Sequence, residues 1–142
     1  MTEKATIKEI EQELIDDFNL LDNWEEKYEY LIELGQDMPR MDPTLKTDDR
    51  LVQGCQSSVW FDIHCQEGRL LFSADSDSVV VKGMVAVLNQ TLNGQPAEDV
   101  LQANLDFFET LGLWRHISSQ RSNGLTAMVG HLKQAAAECL DK

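Results

Sequence analysis

Residues 59–73, VWFDIHCQEGRLLFS, decide the fold class. Val59, Phe61, Ile63 and Cys65 alternate with Trp60, Asp62 and His64, so one face of a strand is apolar and the other is not. Gln66-Glu67-Gly68 reads as a turn, and a second strand follows over Arg69 to Ser73. Just upstream, Leu51 to Gln53 has the length and composition of a third, short strand paired with the first. The expectation is a small three-stranded antiparallel meander.

Helical periodicity flanks this meander on both sides. Downstream, Val79 to Leu92 is nearly all apolar, broken by Lys82 and Gly83. Its valines would suit a strand, but a run of about 14 residues favours a buried helix. Ser76, Asp77 or Ser78 can cap its start, and Asn93-Gly94 ends it. Pro96 with Glu98 and Asp99 opens another helix, Asp106 to Gly112 forms a short one, and Ser122 to Leu140 forms the last. In that last helix Leu125, Met128, Val129, Leu132, Ala136 and Cys139 recur at core spacing.

Upstream, Ile7, Ile10, Leu14, Phe18 and Leu21 repeat every three or four positions, with acidic residues mostly between them. Asn23 then caps a second helix that carries Trp24, Tyr28, Leu31 and Ile32 and ends at Gly35 as C-cap. Residues 36–50 hold two of the three prolines, lack either period and read as a long surface connection. The predicted architecture is α+β and two-layered: a helical hairpin, a three-stranded antiparallel meander, then several helices packed on it.

At 142 residues the chain has material for one core that removes ~70% of its unfolded surface from water, so a single domain over residues 1–142 is expected. The formal net charge of −13 matches neither a nucleic-acid polyanion nor an anionic membrane surface. Residues 1–50 carry 15 acidic and 6 basic side chains, and the remainder of the chain only −4 net. No apolar run approaches the ~18 residues of a membrane span, and MTEKATIKEIEQ lacks the features of a secretory signal. The expected location is cytoplasmic.

Three cysteines at wide spacing suit a reducing compartment better than a disulfide framework. Cys65 shares a strand face with Val59, Phe61 and Ile63, and Cys139 continues a helical stripe from Leu132, so both read as small buried hydrophobes. Cys55 differs. It lies in Gln53-Gly54-Cys55-Gln56-Ser57-Ser58, a polar turn at a strand end, where a glycine allows close approach and neighbouring amides and hydroxyls can stabilise a thiolate. A zinc or iron–sulfur site would need three or four converging ligands, which no C-x-x-C supplies. A cysteine-dependent hydrolase would pair Cys55 with one of His64, His116 and His131, and this remains the alternative reading. The glycines are isolated, so no phosphate-cradling loop is present.

Four blocks in order resemble the SufE family of sulfur-acceptor proteins. They are Asn23-Trp24-Glu25-Glu26-Lys27-Tyr28 through Ile32-Glu33-Leu34-Gly35; Gln53-Gly54-Cys55-Gln56-Ser57 with Val59-Trp60; Asp75-Ser76-Asp77 with Val81-Lys82-Gly83 and Ala86-Val87; and Leu113, His116, Arg121, Ser122, Gly124-Leu125 and Ala127-Met128. Spread over about 105 residues, they are more specific than any single motif. The resemblance implies a covalent sulfur carrier rather than an enzyme, with no cofactor or metal on this chain. It would take persulfide sulfur from a pyridoxal-phosphate cysteine desulfurase of the SufS type, stimulate that enzyme, and pass sulfur toward iron–sulfur cluster assembly on a SufBCD-type scaffold. Cys55 matches the family's acceptor cysteine, with Gln53, Gly54, Gln56 and Ser57 around it. Asp75 and Arg121 match polar positions near the acceptor loop. Two roles stand open for Arg121: lowering the Cys55 pKa by its charge, or pairing with Asp75 to hold the last helix on the sheet. Because burial shields a persulfide but weakens a thiol as nucleophile, the loop is expected to sit inward in the free protein and move outward on its partner.

Overall fold

A computed structural model of the protein describes residues 5–54, 57–103, 106–112 and 119–141, and within these all side chains but those of residues 109 and 119–123. Cys55, Gln56, His116 and the Arg121 side chain, named above, lie outside the described residues. The fold is α+β, and its first helix, α1 (Ile7–Asn19), starts with a reciprocal cap. The Thr6 hydroxyl accepts the Glu9 amide hydrogen at 3.2 Å, and the Glu9 carboxylate accepts that of Thr6 at 3.3 Å. Asn23 caps α2 (Trp24–Asp37) through the Glu26 amide at 2.9 Å. The two helices pack edge to face through Phe18 and Tyr30, whose rings lie 5.2 Å apart.

Gly35 does not end α2, which runs two residues further to Asp37. It faces α3 (Val79–Leu92), where a Cβ on Gly35 would come within 2.9 Å of the Gly83 nitrogen. The two glycines let the backbones of α2 and α3 touch, so Gly35 is a packing residue and not a cap. Helix α3 has the bounds expected from sequence and is capped by Ser78, whose hydroxyl accepts the Val81 amide. Val81, Met84, Val85, Val87 and Leu88 are all buried, because α3 packs against both α2 and the sheet. That explains its nearly unbroken apolar sequence.

The sheet has two strands, β1 (Val59–Gln66) and β2 (Arg69–Ser76), paired antiparallel from Val59 with Ser76 to Gln66 with Arg69. The chain reverses at Glu67 and Gly68, both at positive φ. The third strand expected at Leu51–Gln53 does not form. A single bridge joins Leu51 to Trp60, with the Val52 amide donating to the Val59 carbonyl at 2.8 Å. Only these residues remain between a 3-10 turn over Asp48–Arg50 and Gly54, whose φ of 92° turns the backbone out of the ladder. The opposite edge, along β2, is closed by residues 93–97. Gly94 and Gln95 exchange backbone hydrogen bonds with Leu70, the Asn93 amide group bonds both the Phe72 N–H and C=O, and the Ala97 N–H donates to the Gly68 carbonyl. An edge that would otherwise template aggregation is thereby satisfied on β2.

Helices α4 (Ala97–Gln102) and α5 (Asp106–Leu111) precede α6 (Ser119–Leu140), which packs on α4 and on both strands. Pro96 sits at the N-cap of α4, one position before the first turn in which it was expected. The connection over residues 36–50 contains two 3-10 turns, Pro43–Leu45 and Asp48–Arg50. Among the described residues no helix is long and apolar enough to cross a membrane.

The expected pair of buried free thiols is overturned. Cys65 and Cys139 form a disulfide with Cα atoms 5.6 Å apart. Cys139 is buried as its helical stripe implies, but Cys65 is exposed, because burial along β1 fades from Val59 and Phe61 toward the hairpin end. The bond spans 74 residues of chain, so it restricts the unfolded state over half the protein. Its reduction is expected to cost about 2 to 4 kcal/mol, toward the upper end for so long a loop. Urea melts with and without dithiothreitol measure this, and coincident midpoints would show that the bond contributes nothing.

Candidate functional site

The segment that holds Cys55 is anchored at both ends by the sheet. On the entry side, Val52 is bound to Val59, and Gln53 and Gly54 then leave the ladder exposed to solvent. On the exit side, Ser58 is held three ways: its carbonyl accepts from the Ser76 hydroxyl at 2.8 Å and the Asp77 amide at 3.2 Å, and its own amide donates to the Asp77 carboxylate at 3.0 Å. Ser57, beside it, is half-buried. The two described flanks of the acceptor loop, residues 53–54 and 57–58, are thus both held at the start of β1, beside the end of β2. Helix α6 flanks the loop, since a Cβ on Gly54 would stand 3.3 Å from the Ala127 methyl group.

Below the loop lies an ion-pair cluster centred on Asp75, a buried residue of β2 opposite Trp60. Lys46 approaches one carboxylate oxygen at 2.6 Å and Lys82 the other at 3.3 Å, while the Ser76 amide donates to Oδ1 at 2.8 Å. Burial alone would disfavour the charged carboxylate. The hydrogen bonds from Lys46 and the Ser76 amide, with the charges of both lysines, outweigh it and hold the Asp75 pKa below the usual aspartate value. Lys46 also lies over the Trp60 ring, 5.5 Å from its centre. One carboxylate thus ties the end of the 36–50 connection, the second strand and the start of α3 into one frame under the loop.

Removing that charge has a predictable sign. A carboxyl with a depressed native pKa stabilises the fold above its unfolded pKa and loses that contribution as pH falls through the native value. Asp75→Asn is expected to cost about 1 to 3 kcal/mol near neutral pH, because it leaves two half-exposed lysines without their partner. The deficit relative to wild type should shrink on acidification below the ordinary aspartate range. Denaturant melts of both proteins across that range test this; a pH-independent gap would mean that the ionised form of Asp75 is not what matters.

A second ionic cluster lies further along β1. Arg50 and His64 contact the two oxygens of Asp62 at 3.0 and 2.9 Å, so His64 belongs to the outer strand face. His131 in α6 stacks on Phe61, 6.0 Å between ring centres, and burial lowers its pKa despite the charge of Glu138 nearby. With Gln53, Leu51, Val52, Ala127 and Gln134, His131 lines a cleft of about 460 Å³ on the α6 side of the loop.

Among the described residues singled out from sequence, Gln53, Gly54 and Ser57 flank Cys55 and Gln56 in the chain, and Asp75 is the neighbour of Ser76, which binds Ser58 on the exit side. Asp75 has Lys46 and Lys82 as partners, which sequence reading missed. The signal for Lys82 was present as the lone charge in the apolar run of α3. Lys46 had none, because the 36–50 connection has no periodicity that would assign it a face.

Comparison with known proteins places residues 12–136 in a match to the SufE family model, described as an Fe-S metabolism associated domain. An uncharacterized SufE-like protein of Rhizobium meliloti is 40% identical over 129 residues, covering 87% of this chain and 92% of its own. A second, from Rhizobium etli, is 40% identical over 131 residues, covering 87% of each. Among solved structures, the solution structure of a hypothetical protein from Thermus thermophilus superposes with a TM-score of 0.78 over 94% of this chain and 97% of its own. Its 21% identity makes that a likeness of fold.

Proposed function

The chain belongs to the SufE family of Fe–S metabolism, and from that premise we propose that Cys55 is the acceptor of persulfide sulfur from a SufS-type cysteine desulfurase. The observation that carries the reading is the 53–58 segment, through its described flanks. It is anchored to both strands by hydrogen bonds at its ends and presents the residue types of the family's acceptor block.

The chemistry is thiol exchange. The Cys55 thiolate attacks the terminal sulfur of the desulfurase persulfide, forming a new S–S bond as the old one breaks. The desulfurase cysteine leaves as a thiolate and takes up a proton, and Cys55 becomes the persulfide. Transfer onward repeats the step, with a thiolate of the iron–sulfur assembly machinery as the nucleophile. The protein's part is to orient the acceptor and to shield the outer sulfur, and the cleft bordered by Gln53, Ala127 and His131 is the described space beside it. Cys55 has no metal or cofactor to activate it in this scheme. A thiol of ordinary pKa is only a few per cent ionised at neutral pH, so attack draws on loop amides or on a cation brought by the partner.

Incubation with a desulfurase and free cysteine, followed by mass spectrometry of the intact and digested protein, tests the proposal. One added sulfur atom on the peptide bearing Cys55 is expected. Sulfur found on another residue, or none at all, would sink the reading. A stable acyl adduct formed with an ester would favour the hydrolase alternative instead.

A further inference from the structure

Helix α6 carries four residues at intervals of four: Ala127, His131, Ala135 and Cys139. That spacing places them on one stripe of the helix. All four have neighbours along β1 or its entry loop. Ala127 meets Gly54, His131 stacks on Phe61, and Cys139 is bonded to Cys65, with Ala135 lining a cleft beside that bond. The helix is thus laid along the strand from the acceptor loop to the hairpin end, a length of about 18 Å at the rise of an α-helix.

We propose that the Cys65–Cys139 bond is reversible and that its redox state sets how firmly this stripe is held on β1, and so how accessible the loop at Gly54 is. Three observations support it. Cys65 is an exposed residue at the hairpin end, so the bond lies near the surface, where a small thiol or disulfide exchanges most readily. A cleft of about 370 Å³ borders both cysteines and gives room for such a reagent. Third, the helix that bears Cys139 is the one that touches Gly54, so the bond and the loop share a rigid element.

The oxidant is a small-molecule disulfide of the glutathione type. The Cys65 thiolate attacks it, releasing one small thiol and forming a mixed disulfide. The Cys139 thiolate then attacks the Cys65 sulfur, closing the protein bond and releasing the second small thiol. Two protein thiols and one small disulfide become one protein disulfide and two small thiols, and excess small thiol reverses both steps. The oxidised form holds the stripe against the loop; the reduced form lets the last turns of α6 separate from the hairpin and loosens the contact at Gly54. The consequence for sulfur acceptance rests on the reading of Cys55 given above.

The alkylation rate of Cys55 reports on the loop without requiring that it carry sulfur, so failure of the acceptor reading leaves this measurement intact. Full-length protein is equilibrated in buffers of varied reduced-to-oxidised glutathione ratio and treated with iodoacetamide. The Cys55, Cys65 and Cys139 peptides are followed by mass spectrometry. Cys65 and Cys139 should interconvert together between bonded and alkylatable forms, and Cys55 should react about fivefold faster in the reduced protein, a modest coupling between sites. The double variant Cys65→Ser/Cys139→Ser should match the reduced rate, and where it folds poorly the reduced wild type gives the same comparison. Thiols that stay alkylatable at every ratio, a bond that excess thiol cannot reduce in the folded protein, or equal Cys55 rates in both forms would each overturn the proposal.

Discussion

Cys55→Ser abolishes sulfur uptake: after incubation with a desulfurase and cysteine, the variant is expected to keep its unmodified mass while wild type gains one sulfur atom. The effect is all or none because the step requires a sulfur nucleophile. A serine hydroxyl is almost wholly protonated at neutral pH, and it has no sulfur with which to form the persulfide S–S bond. The substitution leaves the frame of the loop intact, since Val52 and Ser58 hold its ends through groups outside residue 55. Wild-type thermal stability should therefore accompany the loss. Cys65→Ser and Cys139→Ser are the matching controls; each breaks the disulfide and lowers stability, yet each should still take up sulfur on Cys55. Uptake that survived in Cys55→Ser and vanished in Cys65→Ser would move the acceptor to the other end of β1 and refute the assignment.

The largest effect on stability is expected from Gly83→Val. At the α2–α3 crossing a Cβ on Gly83 would meet the Leu31 carbonyl oxygen and stand 2.8 Å from Leu31 Cγ. The obstruction includes backbone that cannot swing aside, so the helices must separate in the centre of the core, where Met84, Val85 and Leu31 have no exposure. Overpacking costs typically run to about 3 kcal/mol, and a β-branched side chain against backbone should reach about 4 kcal/mol or more. For a chain of this size that lowers the melting temperature by about 10–15 °C. Gly130→Ala supplies a control of opposite sign, because nothing lies within 4 Å of the added methyl group and the site is inside α6. It should raise stability by about 0.5 to 1 kcal/mol through helix propensity alone. Calorimetry of the two variants checks both signs. A Gly83→Val protein as stable as wild type would mean that α2 and α3 do not approach as closely as described.

The glycines also show where sequence reading reaches its limit. Gly35 at the end of an apolar stripe has the look of a C-cap, and a cap and a close-packing glycine are the same letter at the same place. Which it is depends on whether another helix arrives, and here α3 arrives with Gly83 at the contact. The missing third strand has a similar cause. Leu51 and Val52 have strand composition, but a strand is a set of hydrogen bonds to a neighbour, and the turn at Arg50 and the departure at Gly54 leave only one rung. The β2 edge is instead closed by residues 93–97, which have no period-two pattern and are read locally as a helix end followed by a helix start.

Local physics determined much of this protein by itself. The alternation in residues 59–65, the apolar run from Val79 to Leu92 with its Ser78 cap, and the helical stripes on either side specify an α+β chain, because each signal is contained within a few turns of backbone. The polar, glycine-bearing block around Cys55 separates that thiol from the other two for the same reason. Only the tertiary structure decided which distant side chains meet. It paired Asp75 with Lys46 and Lys82, set Gly35 on Gly83, laid the Ala127–Cys139 stripe along β1 and joined Cys65 to Cys139. Those contacts follow from how helices and sheet stack, and partners brought together across as many as 74 residues leave no periodicity from which to read them.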